Sequence, residues 1–166
     1  TSADFPMCPI KTPQTMASTE PVWTDESAAA ALAFCREFEG TPHMQRRLKA
    51  GKGADCVRFT VGVIQAAGIL PDFPWPSYAQ TYGFGADVNW LAAEFLRTTF
   101  SHSVAVADWQ PQTGDVGIFK VGAVSNHVGI VVDGRFWHVT VGRAVHDCNV
   151  DAVRGSLQEV IRIDQP

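Results

Sequence analysis

Apolar and polar positions alternate with two different rhythms along the chain. In the first half, Ala31, Phe34, Cys35 and Phe38 recur three and four residues apart, the spacing of one helical face turned to a core. Thr24-Asp25-Glu26-Ser27 supplies a capping oxygen and early acids ahead of that run, and Gly40 stops it, so the pattern predicts a helix over 24–39. Cys35 lies on its apolar face. A second helix is predicted from an Asp55 N-cap to about Ala67, closed by Gly68, with Val57, Val61 and Ile64 on its buried face. Residues 41–53 between them are polar and basic and read as a connection.

The stretch "PDFPWPSYAQTYGFGADVN" is rich in proline, glycine and aromatics and reads as a surface loop, followed by a short amphipathic helix over 89–99. The rhythm then changes to that of strands. A short one is predicted at 104–106, another at 115–121, and a last one at 160–163. "HVGIVVDGRFWHVTV" gives two apolar runs around Asp133-Gly134, a strong hairpin signal. Helices first and strands afterwards predict an α+β domain with helices packed on an antiparallel sheet. Residues 1–22 carry Pro6, Pro9, Pro13 and Pro21 and read as an extended arm or linker. Residues 23–166 then form a single domain.

Composition narrows the function classes. With 166 residues the chain suffices for one domain with a real core. A formal net charge of −4 gives no basic field for nucleic acid. The longest apolar runs, such as 128–132, are strand-sized, so no membrane span is expected. The N-terminus lacks a charged head followed by an unbroken apolar stretch, so export would depend on some other carrier. Cys8, Cys35, Cys56 and Cys148 show no CxxC spacing, which argues against a zinc knuckle. Reduced, partly buried thiols are expected, with one bridge among Cys8, Cys35 and Cys148 as the alternative.

Candidate chemistry emerges from the hairpin. A two-residue turn at Asp133-Gly134 sets Val132 opposite Arg135, Gly129 opposite His138, and His127 opposite Thr140. Side chains alternate along a strand, so His127, Gly129 and His138 share one face, with the two histidines as diagonal neighbours. Gly129 is expected to leave space opposite His138. Either histidine alone reads as a satisfied structural residue; the pair beside a glycine points to a site. Cys56, at the first turn of a helix, is open to three readings: a core thiol, a metal ligand with His127 and His138, or a nucleophile. On the last reading the helix terminus and a neighbouring imidazolium favour the thiolate.

"GADC" opening a helix, then "GDVGIF", then "HVGIVVDGRFWH" resembles the NlpC-type cysteine peptidases of the papain-like superfamily. The matching positions are Gly53, Asp55 and Cys56 at the nucleophile, Gly114-Asp115 on the next strand, His127 in "HVGI", and His138 on the returning strand. "EGTPH" resembles the family's "GTPY" segment, and the proline-aromatic loop is most similar to the phage-tail and gene-transfer-agent branch. Where the family has Asp-Cys-Ser-Gly this chain has Asp55-Cys56-Val57-Arg58, and His43 stands for the tyrosine after "GTP". The resemblance implies a papain-like NlpC-type fold and cleavage of peptidoglycan stem peptides between D-glutamate and a diamino acid. It implies Cys56 as nucleophile, His127 as base and His138 as its orienter, with His43 and Asp55 near the oxyanion and substrate, and no cofactor. It further implies a virion tail or tail-like particle, with tail-tip or hub proteins as partners of the arm. A structural tail protein that keeps the fold and lacks catalysis is the alternative. His102, His146 and Arg46-Arg47 are expected on the solvated surface, Asp115 in a structural role, and Trp137, Trp90 and Tyr82 either in a groove or in the core.

Overall fold

A computed structural model describes residues 23–70, 101–121 and 124–163. The arm, the proline-aromatic loop and the helix expected over 89–99 lie outside them. Helix α1, Asp25–Phe38, begins with a reciprocal cap: the Ser27 N–H donates to Thr24 Oγ1 at 3.1 Å, and the Thr24 N–H donates to Ser27 Oγ at 2.8 Å. Its buried residues Ala31, Cys35 and Phe38 face helix α2, Cys56–Ala66, where Phe34, Phe38 and Phe59 form an aromatic cluster. The basic connection contains two strands the pattern did not predict, β1 (Leu48–Lys49) and β2 (Gly53–Ala54), which pair antiparallel. Two-residue strands carry no period to read.

Among the described residues the main sheet has six antiparallel strands: β3 (Ser101–Val104), β4 (Val116–Val121), β5 (Val124–Val132), β6 (Arg135–His138), β7 (His146–Asn149) and β8 (Leu157–Ile163). Their spatial order is β3-β8-β4-β5-β6-β7, so the last strand returns to the interior of the sheet. The strand expected at 104–106 lies at Ser101–Val104, because Val106–Asp108 forms a 3₁₀ turn. Strand β7 and the short helix α3 (Val150–Arg154) were not predicted; His146-Asp147-Cys148-Asn149 has no apolar alternation to announce a strand. The hairpin is as expected. Asp133 and Gly134 have φ of 51° and 71°, the pair of left-handed residues a two-residue turn requires, and Val132 pairs with Arg135.

The sheet buries both faces. Val116, Ile118, Val128, Ile130, Val132 and Trp137 pack against α1 and α2. On the other face Phe119, Val131, Phe136 and Val160 pack with Trp109 and with Val150 and Val153 of α3. Asp115 ties this second layer together. It is buried, and it accepts from Trp109 Nε1–H at 2.7 Å, from the Gln112 N–H at 2.9 Å and from the Arg162 guanidinium at 2.9 Å. That is a structural role, and Trp137 is a core residue. No helix among the described residues is long and apolar enough to cross a membrane.

Candidate active site

Asp55 sets the start of α2. Its Oδ1 accepts the Arg58 N–H at 2.7 Å, while Oδ2 accepts the Arg46 N–H at 2.6 Å and pairs with the Arg58 guanidinium at 2.8 Å. The carboxylate is thus engaged in capping and in holding the preceding loop. It is buried, with both oxygens taken up by the helix start and the loop. Arg46 and Arg58 are drawn inward with it and are only partly exposed.

Cys56 follows directly and is 1% exposed. The backbone N–H groups of Val128, Val57 and Cys56 itself bear on its sulfur. The Val128 contact follows from the ladder. The Val131 N–H donates toward β4, to the Asp115 carbonyl, so the N–H of Val128 points to the β6 side. Pairing of β5 with β6 ends at Ile130 and Trp137, short of the His127–Thr140 pair expected, which leaves the Val128 N–H for Cys56. The thiol therefore lies next in space to the residue adjoining His127.

On the second face of the sheet, His127 Nε2 and His138 Nδ1 lie 2.9 Å apart, a hydrogen bond. The two histidines meet diagonally across the hairpin, as the alternation predicted. Gly129 does not open a gap. It pairs with Gly117 of β4, and the Phe136 ring lies over both: an added Cβ at Gly129 would come within 2.4 Å of it. The glycine pair seats Phe136, and Phe136 in turn meets the His138 ring edge-on at 5.3 Å. Phe119 stacks on His138 at 6.0 Å and meets Phe136 edge-on at 5.6 Å, so the three rings form one cluster. The register of β4 against β5 slips just before His127, a bulge that bends the strand beside the site.

Two further histidines join them. His43 forms a bridge to Ala54, two residues before Cys56, and its charge acts on His127. His146, expected on the surface, instead pairs with His138 across β6 and β7, with ring centroids 4.5 Å apart. Its Nδ1–H donates to the Ala144 carbonyl at 2.8 Å. The signal that was available is the two-residue spacing of His146 and Cys148, which puts both on one face of a strand. His102 is exposed on β3 as expected.

Burial dominates the electrostatics. It pushes the Cys56 thiol up from an ordinary 9.0 to about 12, with the Asp55 carboxylate adding to it and the three backbone N–H groups opposing. Desolvation and the charges of His43 and His146 bring His127 down from 6.5 to about 4. Desolvation, His127, His146 and Arg143 bring His138 down to about 3. Burial thus favours the neutral forms of Cys56, His127 and His138 over the thiolate and imidazolium expected, because lost hydration outweighs the helix terminus. Among the described residues no group of three or more His, Cys, Asp or Glu side chains is arranged to hold a metal ion. Cys35, Cys56 and Cys148 are free thiols, and Cys8 lies outside the described residues.

No protein-family model matches the chain, and no curated protein does either. Its fold matches solved structures. One is a protein similar to a lipoprotein of the NLP/P60 family from Staphylococcus aureus subsp. aureus Mu50, 18% identical with a TM-score of 0.54, over 85% of this chain and 42% of that one. Another is the NlpC/p60 domain of the peptidoglycan hydrolase SagA, 21% identical with a TM-score of 0.50, over 82% of this chain and 98% of that domain. This chain spans less than half of the staphylococcal protein. The likeness establishes the fold: helices on an antiparallel sheet, in the NlpC/P60 arrangement.

Proposed function

We propose that this protein is a cysteine peptidase that hydrolyses peptidoglycan stem peptides, cleaving between D-glutamate and a diamino acid. The observation that carries the proposal is the 2.9 Å bond between His127 and His138, with the N–H of Val128, the residue after His127, reaching the helix-start thiol. With its Nε2–H donated to His138, His127 keeps a lone pair on Nδ1. As the Cys56 sulfur attacks the scissile carbonyl, its proton passes to that nitrogen. The tetrahedral oxyanion is held by the Cys56 N–H together with His43, and one such donor contributes about 3 kcal/mol. Collapse expels the amine, which takes its proton from His127, and leaves a thioester on Cys56. Water, activated by the same imidazole, then hydrolyses the thioester.

We infer that the activity serves a virion tail or tail-like particle, with the arm over 1–22 docking to a tail-tip or hub protein; the likeness of the proline-aromatic loop to the phage-tail and gene-transfer-agent branch supports that reading. The test is digestion of purified sacculi with mass analysis of the released peptides. Wild type releases fragments ending at D-glutamate, and Cys56→Ala releases none. Release unchanged in Cys56→Ala contradicts the proposal.

One observation favours a second reading, a structural protein without catalysis. Cys56 is as buried as the core thiol Cys35, and burial pushes both up to about 12. On that reading neither wild type nor Cys56→Ala releases peptides.

A further inference from the structure

The 2.9 Å contact between His127 and His138 needs one proton between two nitrogens, and the two ways of supplying it are not equivalent. If His127 Nε2–H donates, its Nδ1 is left as a base. If His138 Nδ1–H donates, the His127 proton sits on Nδ1 and that base is lost. The choice is made at the far side of His138. A neutral imidazole that accepts at Nδ1 carries its proton on Nε2, and Nε2 lies 4.0 Å from the Cys148 sulfur. Cys148 stands on β7 opposite Phe136, and His146 stands opposite His138. Cys148 is therefore diagonal to His138 on one side, as His127 is on the other.

We propose that Cys148 is a positioning residue: its sulfur accepts the His138 Nε2–H and so fixes the tautomer in which His127 Nδ1 is free to act as base. The chain of hydrogen bonds crosses three strands, from Cys148 on β7 through His138 on β6 to His127 on β5. Burial keeps Cys148 a thiol by raising it above its ordinary value, so its sulfur offers lone pairs without a negative charge, and with the proton on His138 Nε2 its own S–H turns away from the ring. Phe119, Phe136 and His146 hold the His138 ring in the plane that aims Nε2 at the sulfur. The catalytic consequence rests on the hydrolase reading above; the tautomer does not.

The experiment is long-range ¹H–¹⁵N spectroscopy of the full chain labelled at histidine, in wild type, Cys148→Val and Cys148→Ser. Wild type is expected to carry the proton on Nε2 in both His127 and His138. Cys148→Val, which keeps the volume and removes the acceptor, is expected to shift His138 toward a mixture of tautomers. It is also expected to lower kcat on sacculi about three- to tenfold, the worth of one neutral hydrogen bond, with KM unchanged. Cys148→Ser is expected to restore both. A wild-type His138 protonated on Nδ1 overturns the proposal without any variant, as do wild-type tautomers retained in Cys148→Val. Nε2–H tautomers in a wild type that digests nothing support the positioning role and count against the hydrolase reading alone.

Discussion

The two faces of the central sheet follow the same two-residue alternation and put it to different uses. Along β5, Val128, Ile130 and Val132 face the helices, and every one of them is fully buried among apolar neighbours. His127, Gly129 and Val131, interleaved with them, face a layer in which aromatic rings surround imidazoles. The helical face is redundant: many side chains share its burial, and its atoms need only fit. The histidine face is singular, because His138 works through one nitrogen on each side. Cys56 belongs to the first layer and His127 to the second, and the N–H of Val128, the residue after His127, reaches the Cys56 sulfur where the pairing of β5 with β6 stops. A site at such a border inherits burial from the core and hydrogen bonds from the open edge.

That contrast predicts effects of different kind and size. Ile130→Ala removes a fully buried side chain from the helical face, and a loss of about 2–5 kcal/mol in urea unfolding is expected, with the histidine tautomers unchanged. Gly129→Ala forces the Phe136 ring off its seat. A smaller loss of about 1–3 kcal/mol is expected, together with a displaced His138 signal and lost activity. If the two variants lost stability alike and neither moved the His138 signal, the faces would not differ as described.

The third effect is a slope with pH. His127 and His138 have folded values of about 4 and about 3, below an ordinary 6.5, so the unfolded chain binds more protons between those limits. Stability is complete above pH 6.5 and falls as the pH drops through the folded values, by about 1.4 kcal/mol per pH unit for each histidine at most. His138→Asn should flatten that slope. The Cys56 thiol acts in the opposite sense: its contribution is present below pH 9 and lost as the pH rises toward 12. Unfolding midpoints from about pH 4 to about pH 11 check both signs.

The helices were legible in the sequence because their signals are local. Thr24, Ser27 and Asp55 announce their caps by type, and Gly40 and Gly68 mark the ends with φ of 80° and 76°. The hairpin was legible for the same reason, and its register placed His127 beside His138. What could not be read depends on the return of distant chain. Strand β7 is polar and four residues long, and only its pairing with β6 brings His146 and Cys148 to the site. The filling of the space at Gly129 by Phe136 needs the Gly117 partner from another strand. The neutral thiol was missed because a helix terminus is visible in sequence and desolvation is not.

The most direct measurement is the intact mass of the protein, quenched in acid seconds after mixing with a stem peptide, with the site of any adduct mapped by proteolysis. The account predicts a thioester of the peptide's acyl portion on Cys56 in wild type, no adduct in Cys56→Ala, and slower formation in His127→Ala. Peptide cleaved with no adduct at Cys56, or an adduct on Cys148 instead, would contradict it.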